Sequence, residues 1–323
     1  MRLIKPKAEL LLQQPGLEGV YKQIELAGRT CYKSTDKITE DSAKPFVDRM
    51  IKSKHLAMLE HGTVYLEFLY EQPIKVTHQD GTSDIYDDTK IYNTLVNKYT
   101  KNPYSRAIER YVGQGAYCVY ITTNLRVLVE NDWMDDLKYI CEPTEYHEKR
   151  YTFRVITSIG VTREFNRHRV NSIAEQSTRY CNYSKDMFGN EVTICIPSWL
   201  NIPEGTVIKE INNLKSDIQG LSSIPYSLEF LNDLGRAENL YLKLVTNGWK
   251  PQEAREILPL CTATEAVYTA FASDWQHFFD LRYFGKTGAP HPNMVELAGL
   301  MAKEASENGI WNELCTENIE VDS

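Results

Sequence analysis

The capacity for chemistry in this chain is concentrated in one run, Arg163-Glu-Phe-Asn-Arg-His-Arg-Val-Asn-Ser-Ile-Ala-Glu-Gln-Ser-Thr-Arg-Tyr180. Its eighteen residues hold four arginines, one histidine, two carboxylates and three aliphatic hydroxyls. A guanidinium is a planar fork of donors that stays charged, so Arg163, Arg167, Arg169 and Arg179 can each grip a phosphate in a two-pronged way. Glu175 and Ser177 add hydrogen-bonding groups suited to a base or a sugar. Apolar residues are few here, so the run is not simply the buried face of an element. The ordinary reading of such a run is a solvated, charge-laced helix and loop. Two later arginines, Arg255 and Arg282, would each be read alone as surface or ion-pair residues. Upstream, His55, Glu60 and His61 lack a further ligand nearby, so no metal site is expected.

Composition narrows the possible ligands. Lysine and arginine number 36 against 44 aspartates and glutamates, a net charge of −8. An acidic chain is a poor duplex-binding surface, since phosphate backbones are held by net or strongly patched positive charge. A cluster of arginines inside it reads better as a pocket for a small phosphorylated ligand. The 323 residues suffice for one large domain or two small ones, with 42% hydrophobic and 25% charged residues in the ordinary globular range. Met1-Arg-Leu-Ile-Lys-Pro6 has no apolar leader pattern and no stretch is long enough to span a bilayer, so a cytoplasmic protein without membrane contact is expected. Seven cysteines without a Cys-x-x-Cys pair suggest reduced thiols and no zinc site. No Gly-x-Gly-x-x-Gly follows a strand, which argues against a Rossmann-type dinucleotide site. Two readings from other classes stay open on residues alone. One is a nucleotide-binding module without turnover; the other is an RNA-binding protein that uses the arginines with some of the twenty tyrosines.

The elements that must position these groups follow from periodicity. Leu17, Val20, Tyr21, Ile24 and Ala27 recur at helical spacing, with Gly28 placed to end the helix and a donor-rich loop over Arg29–Ser34. Phe46, Val47, Met50 and Ile51 mark a second helix, and Thr63–Phe68 a strand. Asp80-Gly81 between Ile74–Val76 and Ile85–Tyr86 predicts a hairpin. Ala116–Thr122 reads as a strand, followed by a short helix that Asn124 can cap. Tyr151, Phe153 and Val155 alternate in a strand that runs into Gly160 and carries the arginine cluster at its end. From Phe230 an apolar stripe reaches Val245, Gly248 closes it, and Pro251 opens the next helix. A final helix has Asn293 and Glu296 at capping-box spacing. The expected fold class is α+β, a small antiparallel sheet flanked by helices.

Arg167-His168-Arg169, seven residues and then Ser177 form the RHR-x7-S signature of the flavin-dependent thymidylate synthases, and Glu175-x-Ser177-x-Arg179-Tyr180 extends the match. Ala-Arg-x-x-Leu-Pro-Leu around Arg255 and Phe-Phe-x-Leu-Arg around Arg282 resemble two further motifs of that family, in the same order. The resemblance implies one domain over 1–323 with an insertion near 70–145, and an enzyme that converts dUMP to dTMP. Methylenetetrahydrofolate would give the carbon, and FAD reduced by NADPH the hydride. It implies dUMP contacts at Glu164, Arg167, Glu175, Gln176, Ser177, Thr178, Arg179, Arg255 and Arg282, with Arg282 as the catalytic residue against the uracil ring. It implies FAD contacts at His55, Ala57, Arg167, His168, Arg169, Glu175, Ser273 and His277, in a homotetramer with shared sites. Two positions depart from the family. Ala57 stands where a Ser or Thr is usual, and Phe271-Ala-Ser273 where an Asn often touches the cofactor. The cysteine nucleophile of the flavin-independent synthases sits in a Pro-Cys context, and no Pro-Cys pair occurs here. Ser177 lacks a neighbouring base beyond Glu175 and is assigned to nucleotide binding.

Overall fold

A computed structural model describes residues 1–71, 74–77, 83–86, 96–185, 188–202, 205 and 226–319. The chain divides into two compact units. One comprises Met1–Leu11, Ala27–Asp36 and Thr152–Ser323; the other comprises Leu12–Leu26 and Lys37–Tyr151. The first helix, α1 (Gly16–Cys31), gives its opening turns to the second unit and its last residues to the first. It runs past Gly28, contrary to the expected stop there. Ala27, Thr30 and Cys31 are buried, so burial carries the helix onward through a residue of poor helix propensity.

The second unit contains α2 (Ala43–Lys52), β3 (Thr63–Glu71), β4 (Ile74–Thr77), β5 (Ser83–Tyr86), β6 (Arg106–Gly113), β7 (Ala116–Asn124) and α3 (Leu125–Glu130). β3, β7 and β6 form an antiparallel sheet in that order, with Thr63 opposite Asn124 and Phe68 opposite Val119. One face of it packs Val64, Leu66, Phe68, Val119 and Ile121 against Ile24 of α1 and Phe46 and Val47 of α2. Asn124 caps α3 as expected, its Oδ1 accepting from the Val127 N–H at 3.1 Å. β4 and β5 pair antiparallel, Ile74 opposite Tyr86; the expected turn residues Asp80-Gly81 lie outside the described residues.

In the first unit, β2 (Lys7–Leu11), β8 (Arg150–Ser158, of this unit from Thr152), β11 (Ala263–Phe271) and β9 (Ser172–Glu175) form a sheet in the order β2-β8-β11-β9. All nine residues of β11 are buried, as suits an inner strand covered on both faces. Helices α4 (Ile159–Phe165), α5 (Ser227–Thr246), α6 (Ala272–Arg282) and α7 (Pro292–Glu307) surround it. Trp275, Phe278 and Phe279 of α6 are buried, and Trp275 meets Phe153 of β8 edge-on at 5.0 Å. The class is α+β as expected, although β1 (Arg2–Ile4) and β10 (Thr193–Cys195) pair parallel rather than antiparallel.

Two expectations need correction in this unit. The strand does not reach Gly160: β8 ends at Ser158, whose Oγ accepts from the Val161 N–H, and α4 begins there. The final helix is not opened by an Asn293–Glu296 box. His291 caps it through Nδ1, while Asn293 Oδ1 accepts from the Ser198 N–H instead. Among the described residues no helix is long and apolar enough to cross a membrane.

Candidate functional site

The arginine cluster is carried by α4 and the turns that follow it. Phe165 fixes that segment from below. Its ring lies parallel to Tyr268 of β11 at 3.7 Å between centroids, and 4.4 Å from Phe278 of α6. Burying such a stack between sheet and helix leaves α4 little freedom to rotate. Two clefts open on either side of the segment.

The larger cleft, about 970 Å³, is lined by Glu164, Arg167, His168, Arg169, His277 and Arg282, with Thr287–Pro290 on another side. Arg282, the last residue of α6, reaches back to the α4 segment. Its Nε donates to His168 Nε2 at 3.1 Å, Nη1 to Glu164 Oε2 at 3.0 Å, and Nη2 to the Glu164 carbonyl at 3.0 Å. The His168 ring is buried against Phe278 at 5.2 Å and faces His277 at 5.8 Å. Burial, then Arg282 and then His277 push its pKa down from the ordinary histidine value to about 4. His168 is therefore neutral near pH 7, and the bond from Arg282 assigns the proton to Nδ1. Arg167 and Arg169 are exposed. The far wall turns at Gly285 (φ +65°), where an added Cβ would meet Pro290 Cδ at 3.0 Å and the Gly288 carbonyl at 3.1 Å.

The smaller cleft, about 320 Å³, is lined by Ile159, Thr162, Arg163, Glu175, Gln176, Ser177, Thr178, Arg179 and Arg255. Glu175 stands at the end of β9 opposite Ala266 of β11. Thr162 Oγ1 donates to one of its carboxylate oxygens at 2.7 Å, and Asn166 Nδ2 to the other at 3.4 Å. Tyr268 in turn donates to Asn166 Oδ1 at 3.0 Å, and burial holds its phenol protonated well above the ordinary range. The Ser177 segment is fixed by its backbone: the Gln176 N–H bonds the Glu265 carbonyl, the Ser177 N–H the Cys31 carbonyl, and the Cys181 N–H the Ser177 carbonyl. Arg255 Nη1 donates to Thr178 Oγ1 at 3.0 Å. Burial raises the Cys31 thiol to about 12 and also raises Cys181, so neither neighbour supplies a thiolate.

The residues singled out from the sequence thus fall into separate groups. Glu164, Arg167, His168, Arg169, His277 and Arg282 share the larger cleft. Glu175, Gln176, Ser177, Thr178, Arg179 and Arg255 share the smaller one. Ser273 lies one turn before His277 on α6, outside the lining of both clefts. His55 and Ala57 are exposed residues of the second unit, His55 preceding the turn Leu56–His61. Thr162, Asn166 and Tyr268 are singled out by no sequence motif. Their signal is present only as spacing: Thr162 and Asn166 lie one helical turn apart, so both reach the same carboxylate.

Residues 143–308 match the family model described as thymidylate synthase complementing protein. A flavin-dependent thymidylate synthase of Kosmotoga olearia is 30% identical over 41% of this chain and 53% of its own length. One from Thermosipho melanesiensis is 27% identical over 43% and 56%, and one from Tropheryma whipplei is 29% identical over 53% and 68%. The chain thus spans about half the length of the first two relatives. A solved structure of the UMP/dUMP methylase PolB from Streptomyces cacaoi with 5-Br dUMP has a TM-score of 0.41 and 15% identity, covering 95% of this chain and 93% of that one.

Proposed function

The chain belongs to the thymidylate synthase complementing protein family, and we propose from that premise that it is a flavin-dependent thymidylate synthase, a methyltransferase acting on dUMP. The observation that carries the reading is the contact between two distant motifs. Arg282 is bonded to Glu164 and His168 at the edge of the arginine run, in a cleft that all three line. A solvated charge-laced run would not recruit a half-buried arginine from another helix and fix it at three nitrogens.

In this reading Ser177, Thr178, Arg179 and Arg255 hold the nucleotide phosphate, with Gln176 and the backbone-fixed 176–181 segment setting its register. A guanidinium bonded to Thr178 is already oriented when the anion arrives, so less freedom is lost on binding. Glu175, braced by Thr162 and Asn166, faces the sugar side. Arg282 acts against the uracil ring. It stabilises negative charge on the ring oxygen and so raises electron density at the carbon to be methylated. Methylenetetrahydrofolate provides the carbon and NADPH the reducing equivalents.

The larger cleft fits a dinucleotide flavin by its donor set and its size. Arg167 and Arg169 are exposed cations for a pyrophosphate, His168 and His277 present rings, and the volume lies at the upper end for small-molecule sites. When bound and reduced by NADPH, the flavin would supply the hydride that the methyl group requires. The residues' own work is to bind, orient and exclude water around it. Backbone contacts or Ser273, which lies outside the lining of that cleft, are the proposed substitutes for the contact of an Asn at Phe271; His55, Ala57 and Glu175 belong to the same proposed cofactor set. The enzyme is further proposed to be a cytoplasmic homotetramer with sites completed between chains. Residues 1–323 act as one functional domain with 70–145 inserted, because the chain passes four times between its two units.

The test is the absorption spectrum of the purified protein, with and without dUMP. Oxidised-flavin bands that shift on adding dUMP are expected, and Arg167→Ala should purify largely colourless. A colourless parent that binds no added FAD would overturn the proposal; stoichiometric flavin in Arg167→Ala would remove the arginine run from the cofactor site.

A further inference from the structure

We propose that Glu164 and His168 are positioning residues for Arg282: a carboxylate, a backbone carbonyl and an unprotonated imidazole nitrogen, all from one turn of chain, clamp the guanidinium. The inference rests on the synthase reading for what Arg282 does, but the clamp itself stands on geometry. A guanidinium has five N–H donors. Three are taken, by His168 Nε2, Glu164 Oε2 and the Glu164 carbonyl, at 3.0 to 3.1 Å. One N–H is left on each terminal nitrogen, in a cleft that Arg282 lines. A long side chain loses many rotamers when it is held, and here they are already lost before a ligand enters.

The three acceptors differ in kind, and that decides what each substitution does. The Glu164 carbonyl is fixed by the backbone, since it also accepts from the Arg167 N–H. The Glu164 side chain supplies charge. His168 supplies a lone pair and must stay neutral, because an imidazolium would turn a donor and a like charge toward Arg282. The groups that face His168 enforce this. Arg282 and His277 come from α6, Phe165 and Phe278 close the apolar sides, and the Glu164 carboxylate is committed to Arg282. Arg167 and Arg169 flank it on its own turn. Arg282, Arg167 and Arg169 are cationic and His277 can become so, which disfavours a further positive charge on the ring.

The clamp is tested in two arms on the flavin-loaded full chain. In the first, arginine is labelled at Nε with 15N, and the Arg282 resonance is identified by its loss in Arg282→Lys. Its proton should exchange slowly at neutral pH, remain protected in His168→Gln, whose amide oxygen can accept, and become unprotected in His168→Ala. An unprotected proton in the parent, or equal protection in His168→Ala, overturns the clamp without reference to any substrate. In the second arm, dTMP formation is followed in Glu164→Gln and His168→Ala. A mispositioned Arg282 should lower kcat about tenfold or more while KM for dUMP changes much less, because the interaction strengthens in the transition state. That loss should be recovered in part as pH rises from neutral to about 9, where the base ionises unaided. A pH profile parallel to the parent's in both variants overturns the positioning role. A parent that binds no dUMP refutes the synthase reading instead, and the first arm still judges the clamp.

Discussion

At the scale of the residue, charge state separates the working groups. His168 is neutral where an ordinary histidine begins to take a proton, and the sign of the consequence is fixed. An unfolded chain protonates this histidine below about pH 6.5, whereas the folded one resists to about 4. Between those values the unfolded state binds more protons, so stability is lost as pH falls through the window. His168→Gln should remove that part of the slope, seen as a smaller fall in melting temperature between pH 7 and pH 5 than in the parent. Identical slopes would mean that His168 titrates normally. Arg255 is a different case, a partly exposed cation bonded to Thr178 Oγ1 and near Glu256 at 3.6 Å. A charge-assisted contact to phosphate is worth about 1.5–3 kcal/mol, so Arg255→Ala should weaken dUMP binding about tenfold or more. Calorimetric titration checks this, and unchanged affinity would take Arg255 out of the nucleotide site.

At the scale of the element, α4 matters most. One short helix sends Thr162 and Arg163 to the smaller cleft and Glu164 to the larger, and is followed at once by Arg167 and His168 in the larger. Phe165 holds it to β11 and α6. Truncation to alanine leaves a cavity among Tyr268, Phe278 and Trp275, for which about 3–5 kcal/mol is the usual loss. Phe165→Ala should therefore lower the denaturation midpoint and weaken dUMP binding, whereas Phe165→Leu keeps much of both; a midpoint equal to the parent's would contradict the anchoring role. The motif residues were legible in the sequence, but this helix was not. Ile159-Gly-Val-Thr162 mixes β-branched residues with glycine, and the one helix signal was Ser158 as a cap. β11 was hidden for a related reason. Ala263-Thr-Glu-Ala-Val-Tyr-Thr-Ala-Phe271 is buried throughout, so it lacks the alternation that marks a half-buried strand. Gly28 misled in the opposite direction, since tertiary burial of Ala27, Thr30 and Cys31 outweighed its local preference.

At the scale of the whole molecule, the α+β class was readable from periodicity, and the family from three short motifs. The partition into two interleaved units was not, because no linker composition marks the crossings at Leu11, Leu26, Asp36 and Tyr151. Nor does any local pattern reveal that Glu164 meets Arg282, 118 residues away. Such a pairing is made by the stacking order of β8, β11 and α6, which only the folded chain displays. The most direct test of the account is dTMP formation by the purified full chain given dUMP, methylenetetrahydrofolate, NADPH and FAD, with product identified by mass. dTMP is expected to require dUMP, methylenetetrahydrofolate and NADPH, with FAD retained from purification or added, and turnover should fall about tenfold or more in Arg282→Lys at saturating dUMP, since a compact ammonium cannot reproduce the planar donor set. No dTMP from a folded, flavin-loaded parent would contradict it.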